Sequence, residues 1–135
     1  MSSAGRKFEQ QYRKEHGAGA GGESHARHIV PAKILEAHPS VGNDHESNYR
    51  MGSRDQNMVD LKIDNMIEKR NYQTHGLSND EYIRPDRVRS RIEQQVASIK
   101  TMADYSKRYV RDLYLAAQHY EMDLRIFNGL DFDRR

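Results

Sequence analysis

The feature that most constrains the fold is the stretch from Asp86 to Asn128, 43 residues that contain neither proline nor glycine. Apolar residues recur at helical spacing within it, from Val88 to Tyr120. This pattern predicts one long amphipathic helix, with a bend over residues 103–106 as an alternative. The part from Val88 to Tyr120, more than 30 residues, would be roughly 50 Å long if it stayed straight. The chain is therefore expected to be mainly α-helical, with a very small β element.

Shorter elements are predicted upstream of this helix. Residues 25–31, HARHIVP, are typical of a strand that Pro31 ends. Residues 32–38 are long enough for about two helical turns, which Pro39 would end. The following residues, 39–52, are rich in Gly, Asn, Asp and Ser and predict a polar loop that holds one short strand at most.

Two capping boxes punctuate the middle of the chain. Ser53 and Gln56 form the first, so a helix is expected over residues 54–72, closed by His75-Gly76. Residues 78–81 form the second, which predicts a short turn before Pro85.

The domain organisation predicted from composition is a tail followed by one compact domain. Residues 1–23 are expected to be a flexible tail with a glycine linker, and the helical part of it to be either a frayed helix or a junction outside the core. Residues 24–135 form the predicted domain, with a core at 24–76 and a helical extension at 77–135. Val, Ile, Leu and Phe number only 24 of 135, so Tyr and Met must supply part of a small core.

Composition also excludes several classes of protein. The absence of cysteine excludes disulfides, thiolate metal sites and a cysteine nucleophile. No apolar run is long enough to span a membrane, and the N-terminus lacks the apolar region of a Sec signal. The protein is therefore expected to be exported by a dedicated system and to act in the cytoplasm of a target cell, with a cytoplasmic location as the alternative.

The basic residues are concentrated in one part of the chain. The net charge is +2, but residues 84–111 hold eight cations against three carboxylates. Arg84, Arg87 and Arg91 recur at helical spacing and would share one face of the long helix. Three guanidinium groups on one face predict a nucleic-acid contact, and an ordinary solvated face is the alternative.

The segment Ser24-His-Ala-Arg-His-Ile-Val-Pro31 carries the strongest functional signal. A histidine at a strand end, two aliphatic residues, a proline, an Asn-rich loop and then a capped helix resemble the ββα-metal nucleases. These include the HNH and endonuclease VII-like toxin domains. The resemblance implies a ββα-metal-type core, placed before the long C-terminal amphipathic helix.

The resemblance also implies roles for particular residues. His28 occupies the position of the general base that activates water, and Arg27 would clamp the phosphate. His25 and Asn57 would hold one divalent metal ion, with Mg²⁺ expected first and Mn²⁺, Ni²⁺ or Zn²⁺ as alternatives. On the residues alone, the two histidines could equally be polar strand-end residues, and Asn57 could be an ordinary helix-start residue.

The sequence thus predicts a metal-dependent endonuclease that hydrolyses DNA or RNA, as a bacterial toxin or effector domain. Its expected partners are nucleic acid, an immunity protein, and a carrier or secretion protein, with no membrane involvement. The alternative is a non-enzymatic helical adaptor or structural protein of a phage or secretion assembly, which would oligomerise through the long helix. A nucleic-acid-binding module without chemistry is a third possibility.

Overall fold

The computed structural model describes residues 3–36, 46–72 and 83–135. Within these ranges the chain is mainly helical and has a two-stranded antiparallel sheet. In chain order the elements are α1 (Ser3–His16), β1 (His25–His28), α2 (Ala32–Glu36), β2 (Tyr49–Gly52), α3 (Arg54–Lys69), α4 (Pro85–Ile99) and α5 (Lys107–His119), with 3₁₀ turns at Glu46–Asn48 and Leu124–Phe127.

The sheet separates two helices. In the antiparallel register His28 lies opposite Tyr49 and Arg27 opposite Arg50, and successive side chains point to opposite faces. Helix α1 packs on the face of His28 and Tyr49, where the ring centroids of Phe8 and Tyr49 are 6.0 Å apart. Helix α3 covers the other face, where Arg50 forms an ion pair with a carboxylate of that helix.

The N-terminal residues differ from the flexible tail that composition predicted. Helix α1 packs against β1, and its Glu9 is buried at 8% exposure. The Glu9 carboxylate accepts the N–H of Ala26 at 2.7 Å, which satisfies a donor on the free edge of β1. The glycine segment forms hydrogen-bonded turns, and Gly17 and Gly21 adopt positive φ angles of 107° and 82°. The helix nevertheless contributes nothing to the main hydrophobic core among the described residues.

The predicted long helix is two helices. Helix α4 ends at Ile99 and α5 begins at Lys107, so the break includes the region where a bend was the alternative. Polar side chains stabilise the break locally. The hydroxyl of Thr101 donates to the carbonyl of Ser98 at 2.6 Å, and Ser106 accepts the N–H of Tyr109 at 3.1 Å as the N-cap of α5.

The break lets α4 and α5 fold back on α3 and bury their apolar stripes together. The stripe predicted from the sequence is the core of this chain, and three of its tyrosines are buried with it. The buried cluster consists of Val30, Ile63, Ile67, Ile83, Val88, Ile92, Val96, Ile99, Tyr109, Val110, Leu113, Tyr114, Ala116, Ala117, Tyr120, Phe127 and Leu130.

Several predicted elements are confirmed. The strand at β1 and the short strand in the polar loop both form, and Ser53 caps α3 by accepting the N–H of Gln56 at 3.1 Å. Helix α3 ends three residues earlier than predicted, at Lys69, because Arg70 adopts a left-handed conformation with φ 53°. The end of the predicted 32–38 helix, the closure at residues 75–76 and the second capping box lie outside the described residues.

Candidate active-site cleft along β1

An open cleft of about 670 Å³ follows β1. All four residues of the strand line it, including the predicted catalytic residues Arg27 and His28 and the predicted ligand His25. Asn57, which lies 29 residues after His28 in sequence, lines the same cleft from the first turns of α3. The structure therefore brings together the four residues that the sequence motif singled out.

Arg27 and His28 border the cleft from opposite faces of β1. The His28 ring packs on Tyr49 with 4.6 Å between ring centroids, which fixes the orientation of the imidazole. Arg27 lies on the α3 face, where its Nε donates to the carbonyl of Gly52 at 3.3 Å. A Cβ on Gly52 would lie 3.2 Å from the Cγ of Arg27, so glycine at this position leaves room for the arginine.

His25 is the most exposed of the β1 side chains in the cleft. Its Nδ1 lies 3.3 Å from the Glu9 carboxylate, and the His25 side chain is 57% exposed. Burial raises the pKa of Glu9, but hydrogen bonds from Ala26 and Arg13 and the charge of His25 outweigh burial and lower it below its ordinary 4.5. Glu9 is therefore ionised at neutral pH and orients His25 toward α1.

The donors in the cleft do not make a metal centre by themselves. Within the part of the chain that the structure describes, no three His, Asp or Glu side chains are arranged to hold a metal ion. The His25 and Asn57 side chains carry no negative charge, and the carboxylate of Asp64, which lines the cleft, is bound by an arginine. Arg27 and Lys33 line the cleft as well, and their charge opposes a divalent cation.

A buried ion pair forms the inner wall of this cleft. Arg91 donates to both oxygens of Asp64, from Nε at 2.9 Å and from Nη2 at 2.8 Å. Gln95 donates to the same carboxylate at 2.8 Å and to the carbonyl of Ile29 at 3.0 Å, and it accepts the Tyr109 hydroxyl at 2.6 Å. This network connects α3, α4 and α5 to the end of β1.

Burial shifts the pKa values in this network. Burial raises the pKa of Asp64 above its ordinary 3.8, although the hydrogen bonds from Arg91 and Gln95 oppose the shift. Burial would lower the pKa of Arg91, but the hydrogen bonds and charge of Asp64 outweigh it and raise the pKa. Burial, with the Asp64 charge, raises the pKa of Tyr109 well above 10, so its hydroxyl stays a donor.

Asn48 connects the two strands to α4. It is fully buried, and its Oδ1 accepts the N–H of Val30 at 2.8 Å and the hydroxyl of Ser98 at 2.7 Å. Its Nδ2 donates to the carbonyl of Val30 at 3.1 Å. Asn48 therefore holds the backbone of Val30, two residues after His28, and its Oδ1 already accepts two hydrogen bonds.

The three arginines of the predicted nucleic-acid face line a second cleft, yet they are not equivalent. Arg84 and Arg87 are exposed, as expected. Arg91 is only 4% exposed, so the expectation of a third arginine on an exposed face is wrong. The physical reason is its bidentate pair with Asp64, which holds the guanidinium in the interior of the fold.

The residues that support the cleft were not predicted from the sequence. Asp64 on α3 and Gln95 on α4 lie within apolar stripes, at positions where a polar side chain must be buried. That spacing was the available signal for a buried network. Nothing local to the sequence marks Glu9, because its partner Ala26 lies 17 residues away.

Comparison with known proteins gives no match to a family model, a curated protein or a solved structure. None of the helices in residues 3–36, 46–72 and 83–135 is long and apolar enough to cross a membrane.

Proposed function

We propose that this chain is an endonuclease and that the cleft along β1 is its active site. The observation that carries the proposal is that His25, Arg27, His28 and Asn57 line a single cleft, although the helix residue is distant in sequence. Two antiparallel strands followed by a capped helix also support the resemblance to ββα-metal nucleases, although the short helix α2 lies between β1 and β2.

In the proposed reaction His28 acts on the nucleophile. An imidazole can act as a general base that takes a proton from water. The water oxygen then bonds to phosphorus, the bond from phosphorus to the leaving oxygen breaks, and that oxygen takes a proton from solvent. Arg27 would contribute charge to the phosphate oxygens, while the contact of His28 with Tyr49 limits the motion of the base.

The metal requirement stays a prediction. His25 and Asn57 would supply two ligands without negative charge, so any divalent ion would depend on other ligands in addition to them. The roles proposed for His28 and Arg27 are the same whether or not the reaction requires a metal ion. The metal requirement is tested by measuring cleavage with and without Mg²⁺, Mn²⁺, Ni²⁺ or Zn²⁺ and with chelator.

The alternative of a helical adaptor loses its proposed interface. That alternative needed the apolar stripe of the long helix to be free for oligomerisation. Val88, Ile92, Val96 and Leu113 of this stripe are at most 2% exposed within a single chain. The stripe is therefore used to build the core of this fold.

Plasmid DNA and RNA, incubated separately with the protein, test the proposed function. We expect phosphodiester cleavage of at least one substrate. Salt-sensitive binding without cleavage would contradict the proposal and favour a binding module.

The biological role is also a proposal. A bacterial toxin or effector domain of this kind would act in the cytoplasm of a target cell after dedicated export, and an immunity protein would neutralise it. Expression inside a bacterial cell should then arrest growth, and His28→Ala should abolish the arrest at equal protein level. Growth arrest that persists in the variant would contradict this role.

A further inference from the structure

A second cleft, of about 390 Å³, lies where the start of α4 faces β2 and α3. We call it the arginine cleft. It is lined by four guanidinium groups and two carboxylates, those of Arg50, Arg84, Arg87, Arg91, Asp60 and Asp86. Arg91 lines the cleft along β1 as well, so the two clefts share a wall.

The charge of the arginine cleft is not balanced internally. Asp60 is paired with Arg50, and Asp86 is paired at 2.8 Å with Arg89, which does not line the cleft. Within the part of the chain that the structure describes, the exposed side chains of Arg84 and Arg87 form no hydrogen bond or ion pair. Positive charge is therefore in excess at the mouth of this cleft.

Two arginine N–H groups in the wall lack a hydrogen-bond acceptor within the described ranges. They are Nε of Arg50 and Nη1 of Arg91. The Arg91 side chain is only 4% exposed, and the charged oxygen nearest to its Nη1 is 3.9 Å away, on Asp60. A buried guanidinium N–H without an acceptor is costly, so the wall of the arginine cleft has hydrogen-bond donors in excess of its acceptors.

The backbone adds to this preference for an anion. Helix α4 begins at Pro85, and its N-cap residue, Arg84, makes no side-chain capping bond. The positive end of a 15-residue helix dipole therefore lies at the same cleft. Phosphate oxygens accept hydrogen bonds and carry charge, which matches donors of this kind.

We propose that the arginine cleft binds a backbone phosphate of a nucleic-acid strand whose scissile phosphate lies in the cleft along β1. Only the placement of the scissile phosphate in the cleft along β1 rests on the proposed nuclease function. The phosphate site itself is defined by the arginines and the start of α4.

The test compares Arg84→Gln/Arg87→Gln with Lys100→Gln/Arg108→Gln, a control that removes two exposed charges outside both clefts. Fluorescence anisotropy with a labelled 20-base-pair DNA duplex in chelator gives affinity as a function of salt. The slope of log K against log salt is negative, and it should become shallower by about 1.8 in the cleft variant. Each lost phosphate contact removes about 0.9 from its magnitude. The control should change the slope by less than half as much.

An equal change in the two variants, an unchanged slope, or no binding by the wild-type protein would overturn the phosphate site. Inorganic phosphate provides a second measurement, because it should shift the backbone amide NMR signals of Asp86 and Arg87 in the wild-type protein only. The outcomes for the two proposals are separable. Cleavage with an unchanged salt slope removes the arginine cleft, whereas a changed slope without cleavage removes the nuclease.

Discussion

Replacing Asn48 with alanine tests whether this asparagine is a structural clamp. The substitution removes three hydrogen bonds from a fully buried side chain and leaves the N–H and C=O of Val30 without partners. Each orphaned buried backbone group costs about 1–3 kcal/mol, so we expect a loss of about 3 kcal/mol in the free energy of unfolding. For a chain of this length that corresponds to a fall in Tm of about 10 °C.

The assay is thermal and urea unfolding followed by circular dichroism, with Ser98→Ala and the double variant measured in parallel. Ser98 donates to the same Oδ1 at 2.7 Å, so the two substitutions should be non-additive by about 1 kcal/mol. A Tm within 2 °C of the wild-type value would refute this reasoning. Loss of metal affinity at unchanged stability would instead make Asn48 a ligand.

Three further predictions concern other parts of the molecule. Asn57→Ala should lower both the cleavage activity and any metal affinity measured by calorimetry. The free energy of unfolding should stay within about 1 kcal/mol of the wild-type value. Unaltered metal binding would remove Asn57 as a ligand. Arg91→Gln should lower the free energy of unfolding in urea by about 3–5 kcal/mol, because it leaves Asp64 buried without its cation. Arg87→Gln should lower it by about 0.5 kcal/mol or less. Equal losses in the two variants would contradict the buried pair. The pKa of Glu9 is lowered in the folded state, so its contribution to stability is present above pH 4.5 and is lost as the pH falls through the lower folded pKa. Glu9→Gln should therefore flatten stability measured by urea unfolding between pH 7 and pH 3, and an unchanged pH profile would contradict this assignment.

Local signals in the sequence predicted the elements that form from local interactions. Ser53 marked the start of α3, since capping acts within a few residues, whereas β1 ends at His28, three residues before the predicted end at Pro31. The helical period of the 86–128 stretch was read correctly. A bend over residues 103–106 was the alternative to one long helix, and the break from Ile99 to Lys107 includes those residues, with Ser106 as the local N-cap of α5.

The part of the candidate site that lies within one short sequence motif was predictable. His25, Arg27 and His28 are adjacent in sequence, and their strand brings them to one cleft. The wall behind them was not predictable as a set of pairs, because Asp64 and Arg91 lie 27 residues apart on different helices. The spacing of Asp64 is consistent with a buried position, but the spacing of Arg91 suggested an exposed face, so periodicity could not show that this carboxylate meets this cation.

The docking of α1 is the clearest case of tertiary structure overriding composition. A glycine-rich linker and few apolar residues predicted a flexible tail. One buried carboxylate, Glu9, instead satisfies an edge donor of β1 and approaches His25. Because this contact is long-range and polar, hydrophobic patterning had no means of finding it.

The most direct test of the proposed active site is the single-turnover cleavage rate of His28→Ala beside His16→Ala. His16 is exposed on α1 and does not line the cleft along β1, so its variant controls for the loss of a histidine. Removal of a general base should lower the rate about 100-fold or more, with an unchanged circular-dichroism spectrum, while His16→Ala retains the wild-type rate. A His28→Ala rate within tenfold of wild type would contradict the account.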